Sequence, residues 1–309
     1  GEQQQLDAER KKLELTLGSS QRMKTLIRKE LLADAEEYGD ERRSVIVSRE
    51  AATALDETEF TPSDPITVVL SEKGWVRAAK GHEIDPTSMS YKSGDGFQDS
   101  IRLRSNQPVI FLDSTGKSYS LAAHTLASAR GQGEPLTGRF NLPEGERFVC
   151  CLGGDNEQSW LLASDAGYGF IVKEKDLLAN KKSGKKVLTL PKGGQVLKAC
   201  PVKNSDTDRV AAVTTEGRML VIPASDLPLL TRGKGNKIIG IPGKRVLTRD
   251  EYVGAMMAVP EGGRLRLVAG KRYLNLKAAD LNAYEGERGR RGNKLPRGFQ
   301  KVDALDLDQ

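Results

Sequence analysis

The residues best placed for chemistry in this chain are cations grouped around glycine. Five such groups recur: Lys92-Ser93-Gly94, Arg130-Gly131-Gln132-Gly133, Lys182-Ser183-Gly184, Arg232-Gly233-Lys234-Gly235 and Arg288-Gly289-Arg290-Arg291-Gly292. Glycine leaves backbone N–H groups open to an approaching phosphate, and Arg and Lys neutralise its charge. Other cations lie close by in sequence, among them Arg102, Arg104, Lys185, Lys186, Lys237, Lys244, Arg245 and Lys294. A phosphate track is expected to use Arg102, Arg104, Arg130, Lys182, Lys185, Arg232, Lys234, Lys237, Arg288, Arg290, Arg291 and Lys294. Any single group is equally well explained as a solvated charged face. The recurrence is what points to a polyanion.

The charge balance agrees. The chain has 309 residues and a formal charge of +6. Residues 1–60 carry 10 Lys and Arg against 14 Asp and Glu, whereas the remainder carries 38 against 28. The basic surplus therefore belongs to the long second part, as expected for a nucleic-acid partner.

Enzymatic constellations are poorly represented. The only histidines, His82 and His124, sit in no HExxH or HxH pattern, so a zinc site is not expected. There is no GxSxG elbow and no GxxxxGK[ST] loop. Cys150, Cys151 and Cys200 lack CxxC spacing, which reads as free thiols in a reducing compartment. No signal-peptide pattern and no run of 18 apolar residues is present, so a cytoplasmic location is expected. Asp303, Asp306 and Asp308 read as a frayed acidic tail. The few aromatic residues read as core rather than as stacking platforms, which favours duplex over single-stranded nucleic acid.

The elements that must position the cations are short strands. Thr67–Leu70, Val109–Leu112, Trp160–Ala163, Val210–Val213 and Leu265–Val268 are apolar runs, each followed by a glycine turn and a second strand. The turn glycines, Gly74, Gly116, Gly167, Gly217 and Gly270, are spaced by 42, 51, 50 and 53 residues. Ten residues beyond the turn comes an aliphatic side chain, Ile84, Leu126, Leu177 or Leu227, with Leu281 one position later. The basic glycine group follows in every unit. A period near 50 built of short strands marks a propeller-like array. A lone four-stranded blade cannot bury both faces, and stacking blades around an axis solves this.

The first part differs. Residues 2–17 and 21–37 read as amphipathic helices, separated by Gly18-Ser19-Ser20, with Ser20 as N-cap and Gly39 as stop. The acidic, aperiodic stretch 48–65, closed by Pro62 and Pro65, reads as a linker.

Several strings are distinctive. Ser71-Glu-Lys-Gly-Trp-Val-Arg-Ala-Ala-Lys-Gly-His82, Ser105-Asn-Gln-Pro-Val-Ile-Phe-Leu-Asp-Ser-Thr-Gly-Lys-Ser-Tyr119 and Ala129-Arg-Gly-Gln-Gly-Glu-Pro-Leu-Thr-Gly138 closely resemble the A subunits of bacterial topoisomerase IV, a type IIA DNA topoisomerase. So do Ala163-Ser-Asp-Ala-Gly-Tyr-Gly-Phe170, Lys234-Gly-Asn-Lys-Ile-Ile239 and Gly286-Glu-Arg-Gly-Arg-Arg-Gly292. Leu26 to Asp40 resembles the end of that subunit's coiled-coil arm.

The resemblance implies a mainly all-β fold, a five-bladed β-pinwheel over residues 63–309. It is preceded by a helical segment over 1–45 and a linker over 46–62. It implies duplex DNA on the outer rim, presented to a core that breaks DNA with a tyrosine. Magnesium and ATP would serve the whole enzyme, with no cofactor in this chain and no small-molecule substrate. The implied partners are an ATP-hydrolysing B subunit, a second A subunit in an A2B2 enzyme, and a chromosome-condensing protein. The implied location is cytoplasmic and chromosome-associated, with peripheral placement at the inner membrane as a further implication. The Arg-Tyr-Thr motif of the breakage domain is absent, so this stretch is not expected to cleave DNA. The gyrase box Gln-Arg-Arg-Gly-Gly-Lys-Gly is also absent, which disfavours gyrase-type wrapping. A gyrase A wrapping domain and a protein-interaction propeller are the competing expectations.

Overall fold

A computed structural model describes residues 1–40 and 62–308. The chain divides into two compact units, Gly1–Leu55 and Asp56–Gln309. The expected linker lies outside the described residues except for 62–65, and of these Pro65 already begins the first strand of the second unit.

The first unit holds helix α1, Glu2–Leu17, and helix α2, Ser20–Tyr38. Ser19, not Ser20, caps α2: it is extended, and its hydroxyl accepts from the Arg22 amide at 3.4 Å. An N-cap needs non-helical dihedrals, and the first of the two serines supplies them. No residue of either helix is buried; Leu6, Leu13, Ile27 and Leu31 are all exposed.

The second unit is five small antiparallel sheets, as the period predicts. Blade 1 has β1 (Pro65–Ser71), β2 (Trp75–Lys80) and β3 (Phe97–Arg104). Blade 2 begins with β4 (Pro108–Asp113) and β5 (Lys117–Ala122). The chain then leaves blade 2, and β6 (Glu134–Pro135) pairs with β2 of blade 1. It returns as β7 (Phe148–Leu152), which pairs with β4.

Two more units repeat this path. After the hairpin β8 (Ser159–Ser164) and β9 (Tyr168–Lys173), β10 (Lys185–Lys186) goes back to β5, and β11 (Cys200–Val202) joins β8. After β12 (Arg209–Thr214) and β13 (Arg218–Pro223), β14 (Asn236–Lys237) goes back to β9, and β15 (Val253–Val259) joins β12. The last unit has β16 (Arg264–Ala269) and β17 (Arg272–Leu276). Here β18 (Asn293–Lys294) goes back to β13, and β19 (Ala304–Asp308) joins β16. Four sheets thus have four strands, and the fifth has three, in the order β17-β16-β19. Strands β3, β7, β11, β15 and β19 form one edge of the sheets; the borrowed two-residue strands form the other in blades 1 to 4, and β17 forms it in blade 5.

The acidic C-terminal stretch is therefore no frayed tail. Leu305 is buried, and the Asp303 carboxylate accepts from the Gly270 amide at 2.6 Å. Strand β19 completes blade 5 by pairing with β16, with Leu305 on its buried face.

The central strands β4, β8 and β12 bury both faces, because alternate side chains enter the cores on either side, whereas β16 buries only Leu265 and Leu267. Val109 and Phe111 of β4 belong to the core between blades 1 and 2, and Ile110 and Leu112 to that between blades 2 and 3. Leu161 and Ala163 enter the core between blades 3 and 4, and Ala211 and Val213 that between 4 and 5. Each of the Val, Leu, Ile and Phe side chains among these, when fully buried, contributes about 1.5–3 kcal/mol. The first junction adds an aromatic group in which Tyr119 lies 5.0 Å from Phe140 and 5.5 Å from Phe148, centroid to centroid.

Among the described residues, no buried apolar cluster joins blade 5 to blade 1. Residues 81–96, which have no preceding blade to return to, fold against blade 1 instead. Arg77, only 5% exposed, donates to the Ser90 carbonyl at 2.8 Å and the Gly131 carbonyl at 3.2 Å. Asp95 accepts from the Ser71 hydroxyl and the Lys73 amide, pinning the same segment.

Candidate nucleic-acid interface

The borrowed strands explain the basic glycine groups. Each of the last four groups sits immediately before a strand that adds to the outside of the preceding blade. Gly133, Gly184, Gly235 and Gly292 all have positive φ, between 73° and 85°. A Cβ would lie 2.3 Å from the Val76 carbonyl oxygen at Gly133, 2.1 Å from that of Gly169 at Gly235, and 2.4 Å from that of Met219 at Gly292. These glycines let the incoming strand reach the backbone of its host blade. Their first duty is internal, not to a ligand.

The four turns are joined to one another. The Asn141 amide, just past β6, donates to the Lys182 carbonyl at 2.9 Å. Gly233 donates to Val187 at 3.0 Å and accepts from Thr189 at 2.8 Å, flanking β10 on its far side. Gly289 donates to Ile238 and Arg290 accepts from Gly240, both at 2.7 Å, just past β14. Each of the last three turns is thus hydrogen-bonded to the segment that follows the previous turn's strand. This makes a continuous cationic edge along the outer strands of blades 1 to 4. The fifth group, Lys92-Ser93-Gly94, leads into no borrowed strand; Lys92 instead lies over the Trp75 ring at 3.2 Å.

Most of the expected residues lie on that edge. Arg130, Lys182, Arg232 and Lys294 are exposed, with no side-chain partner among the described residues. Lys185 donates to the Asp176 carbonyl at 2.5 Å. Lys234 and Lys237 lie 4.6 and 5.9 Å from the Tyr168 ring centroid, which bridges two cations at one point of the edge. Arg288 donates to the Lys237 carbonyl at 2.9 Å, and Arg290 pairs with Glu287 at 3.0 Å, both remaining exposed.

Three of the twelve stand apart. Arg102 and Arg104 lie on β3, at the edge of blade 1 opposite β6. Arg104 donates to the Ser63 carbonyl at 2.9 Å. Arg291 is on the cationic edge but committed inward. It donates to the Gly240 carbonyl at 3.0 Å and to Glu251, a carboxylate with no solvent exposure, at 2.9 Å. Arg245 donates to the same Glu251 oxygen at 2.9 Å. Sequence reading missed Glu251 and Arg77, because their partners lie 6 to 54 residues away and follow no spacing rule.

Alternative chemistry finds little support. All three cysteines are buried and free. Burial pushes the Cys150 thiol up to about 12 and the Cys200 thiol to about 11, so neither is a ready thiolate. His82 lies 2.9 Å from the Leu103 carbonyl, and His124 is exposed. Among the described residues, no three His, Cys, Asp or Glu side chains gather as metal ligands, and no helix is long and apolar enough to cross a membrane.

Known proteins resolve the family. The solved C-terminal domain of Escherichia coli ParC is 45% identical and superposes with a TM-score of 0.70, over 80% of this chain and 99% of that one. The chain belongs to the family of topoisomerase IV A subunits. The A subunit of Pseudomonas aeruginosa DNA topoisomerase 4 is 58% identical over 308 residues, all of this chain and 41% of the relative. The corresponding Haemophilus influenzae protein is 48% identical over 298 residues, 96% of this chain and 40% of the relative. The chain thus spans about two-fifths of the length of these relatives. A family profile described as DNA gyrase C-terminal domain, beta-propeller, matches residues 158–202 and 208–258. A gyrase A C-terminal domain shares the fold alone, at 17% identity and a TM-score of 0.59.

Proposed function

We propose that this chain is the duplex-DNA-binding domain of a topoisomerase IV protein of the ParC type, and that it presents the transported DNA segment for ATP-dependent decatenation and supercoil relaxation. The observation that carries this reading is the run of four basic turns tied to one another along one edge. A duplex bent along it meets Arg130, Lys182, Arg232 and Lys294 in turn. Bending costs a few kcal/mol, on the order of 1–6, and counterion release offsets it. The contacts go to phosphates, so little sequence preference is expected.

The strand-breaking tyrosine, magnesium and ATP hydrolysis belong to the rest of an A2B2 enzyme with the B subunit, ParE. The chain's own part is electrostatic: it holds and orients DNA and needs no cofactor for that. Activity in the cytoplasm on the chromosome follows from the same reading.

Duplex affinity measured against salt tests it. With six to ten phosphates neutralised, affinity drops about 10³–10⁵-fold between about 50 and 200 mM salt. A flat response rejects the reading. Ligation of nicked circles on the protein distinguishes gyrase-type wrapping, which would leave strong positive writhe.

A further inference from the structure

Beyond the last basic turn, at the outer edge of blade 4, lies a hollow of about 530 Å³ whose walls are unusually cationic. Arg218 begins β13, Arg245 lies on the short helix Gly243–Leu247, and Arg291 and Lys294 flank the start of β18. Lys301 enters from the segment that leads to β19. Among the described residues, two carboxylates pair with these cations: Glu216, with Arg245 at 3.2 Å, and the buried Glu251.

The arrangement is built rather than incidental. Glu251 holds Arg245 and Arg291 side by side, and Arg218 is anchored to the Gly292 carbonyl at 3.1 Å. The three guanidinium groups are therefore preorganised. Gly217 explains how Lys301 arrives: a Cβ there would lie 2.6 Å from the Gln300 Cα, so only glycine lets this segment press against the hairpin turn. Lys294 and Lys301 are exposed and have no partner among the described residues. Fixed guanidinium groups beside two free ammonium groups favour a group with several anionic oxygens.

We propose that this hollow is a phosphate-binding pocket that seats a phosphodiester of the duplex, so that the DNA track continues past the fourth turn to Lys301. The proposal rests on the DNA-binding reading above and adds a residue and an end point to it.

The test uses the whole chain and a duplex long enough to follow the edge. Lys301→Gln should lower the slope of log affinity against log salt by about 0.9, with an unchanged melting temperature. Bound duplex should also slow acylation of Lys301 by an amine-reactive reagent, read peptide by peptide. The proposal is overturned if Lys301 acylates at the same rate with and without duplex and Lys301→Gln keeps the full slope, while Arg232→Gln lowers it. No duplex binding by the unmodified chain would instead remove the underlying DNA reading. Inorganic tripolyphosphate serves as a separate probe. Protection of Lys301 by tripolyphosphate but not by duplex would overturn the DNA occupant in favour of a free polyphosphate.

Discussion

Arg291 and Glu251 are 40 residues apart and meet at 2.9 Å, with the carboxylate wholly buried and the guanidinium partly exposed. A cation that the sequence offers to a ligand is thus first a counter-ion of the fold. Removing Glu251 should uncover what that costs. Glu251→Ala leaves Arg245 and Arg291 without their shared acceptor; since both guanidinium groups are partly exposed and water screens them, a loss of about 1–3 kcal/mol is expected. Urea unfolding measures it. Stability equal to the parent chain would mean that the pair contributes nothing to the fold.

Arg232 provides the contrast, since it is exposed and has no side-chain partner among the described residues. Arg232→Glu should leave stability within about 0.5 kcal/mol of the parent and weaken duplex binding alike for unrelated sequences. Arg291→Glu should lower both stability and binding, because it places a second carboxylate beside Glu251. Filter binding at two salt concentrations, paired with a melting curve, separates the two outcomes.

Gly235 tests the strand-docking role of the basic turns. Alanine there must adopt a φ of +76° with its Cβ 2.1 Å from the Gly169 carbonyl oxygen. Since that atom is backbone, the borrowed strand β14 has to move. A destabilisation of roughly 2–4 kcal/mol is expected. Faster amide exchange at Ile238, whose N–H is held by the Gly167 carbonyl at 2.7 Å, would locate the damage. Unchanged exchange there would argue against the docking role.

Glu174 gives the fold a pH dependence. Burial lifts its carboxyl from 4.5 to about 7, against the opposing bonds from the Trp160 indole N–H and the Gly154 amide. The unfolded chain therefore ionises first as pH rises. Its share of stability is whole below pH 4.5, is lost between 4.5 and about 7, and changes no further above that. The loss amounts to about 3 kcal/mol. Glu174→Gln keeps an acceptor for Trp160 and cannot ionise, so the parent-minus-variant difference should fall across that window. A difference independent of pH would refute the assignment.

The sequence by itself determined the repeat. Glycine turns at Gly74, Gly116, Gly167, Gly217 and Gly270, each after a short apolar run, specified the five hairpins. It also placed two helices to within a residue or so and flagged the cations of the edge. These features are local: periodicity, a positive-φ residue and charge are legible within a few positions.

Tertiary structure decided where each hairpin's partners came from. Strands such as Asn236–Lys237 are two residues long, too short to carry a period, and join a blade begun some 70 residues earlier. That exchange converts separate basic turns into one connected edge. It also sends Arg102 and Arg104 to the opposite edge, turns Arg291 inward to Glu251, and recruits the acidic end of the chain as β19. Each of these outcomes depends on hydrogen bonds or packing between residues remote in sequence, and no local pattern encodes such a pairing.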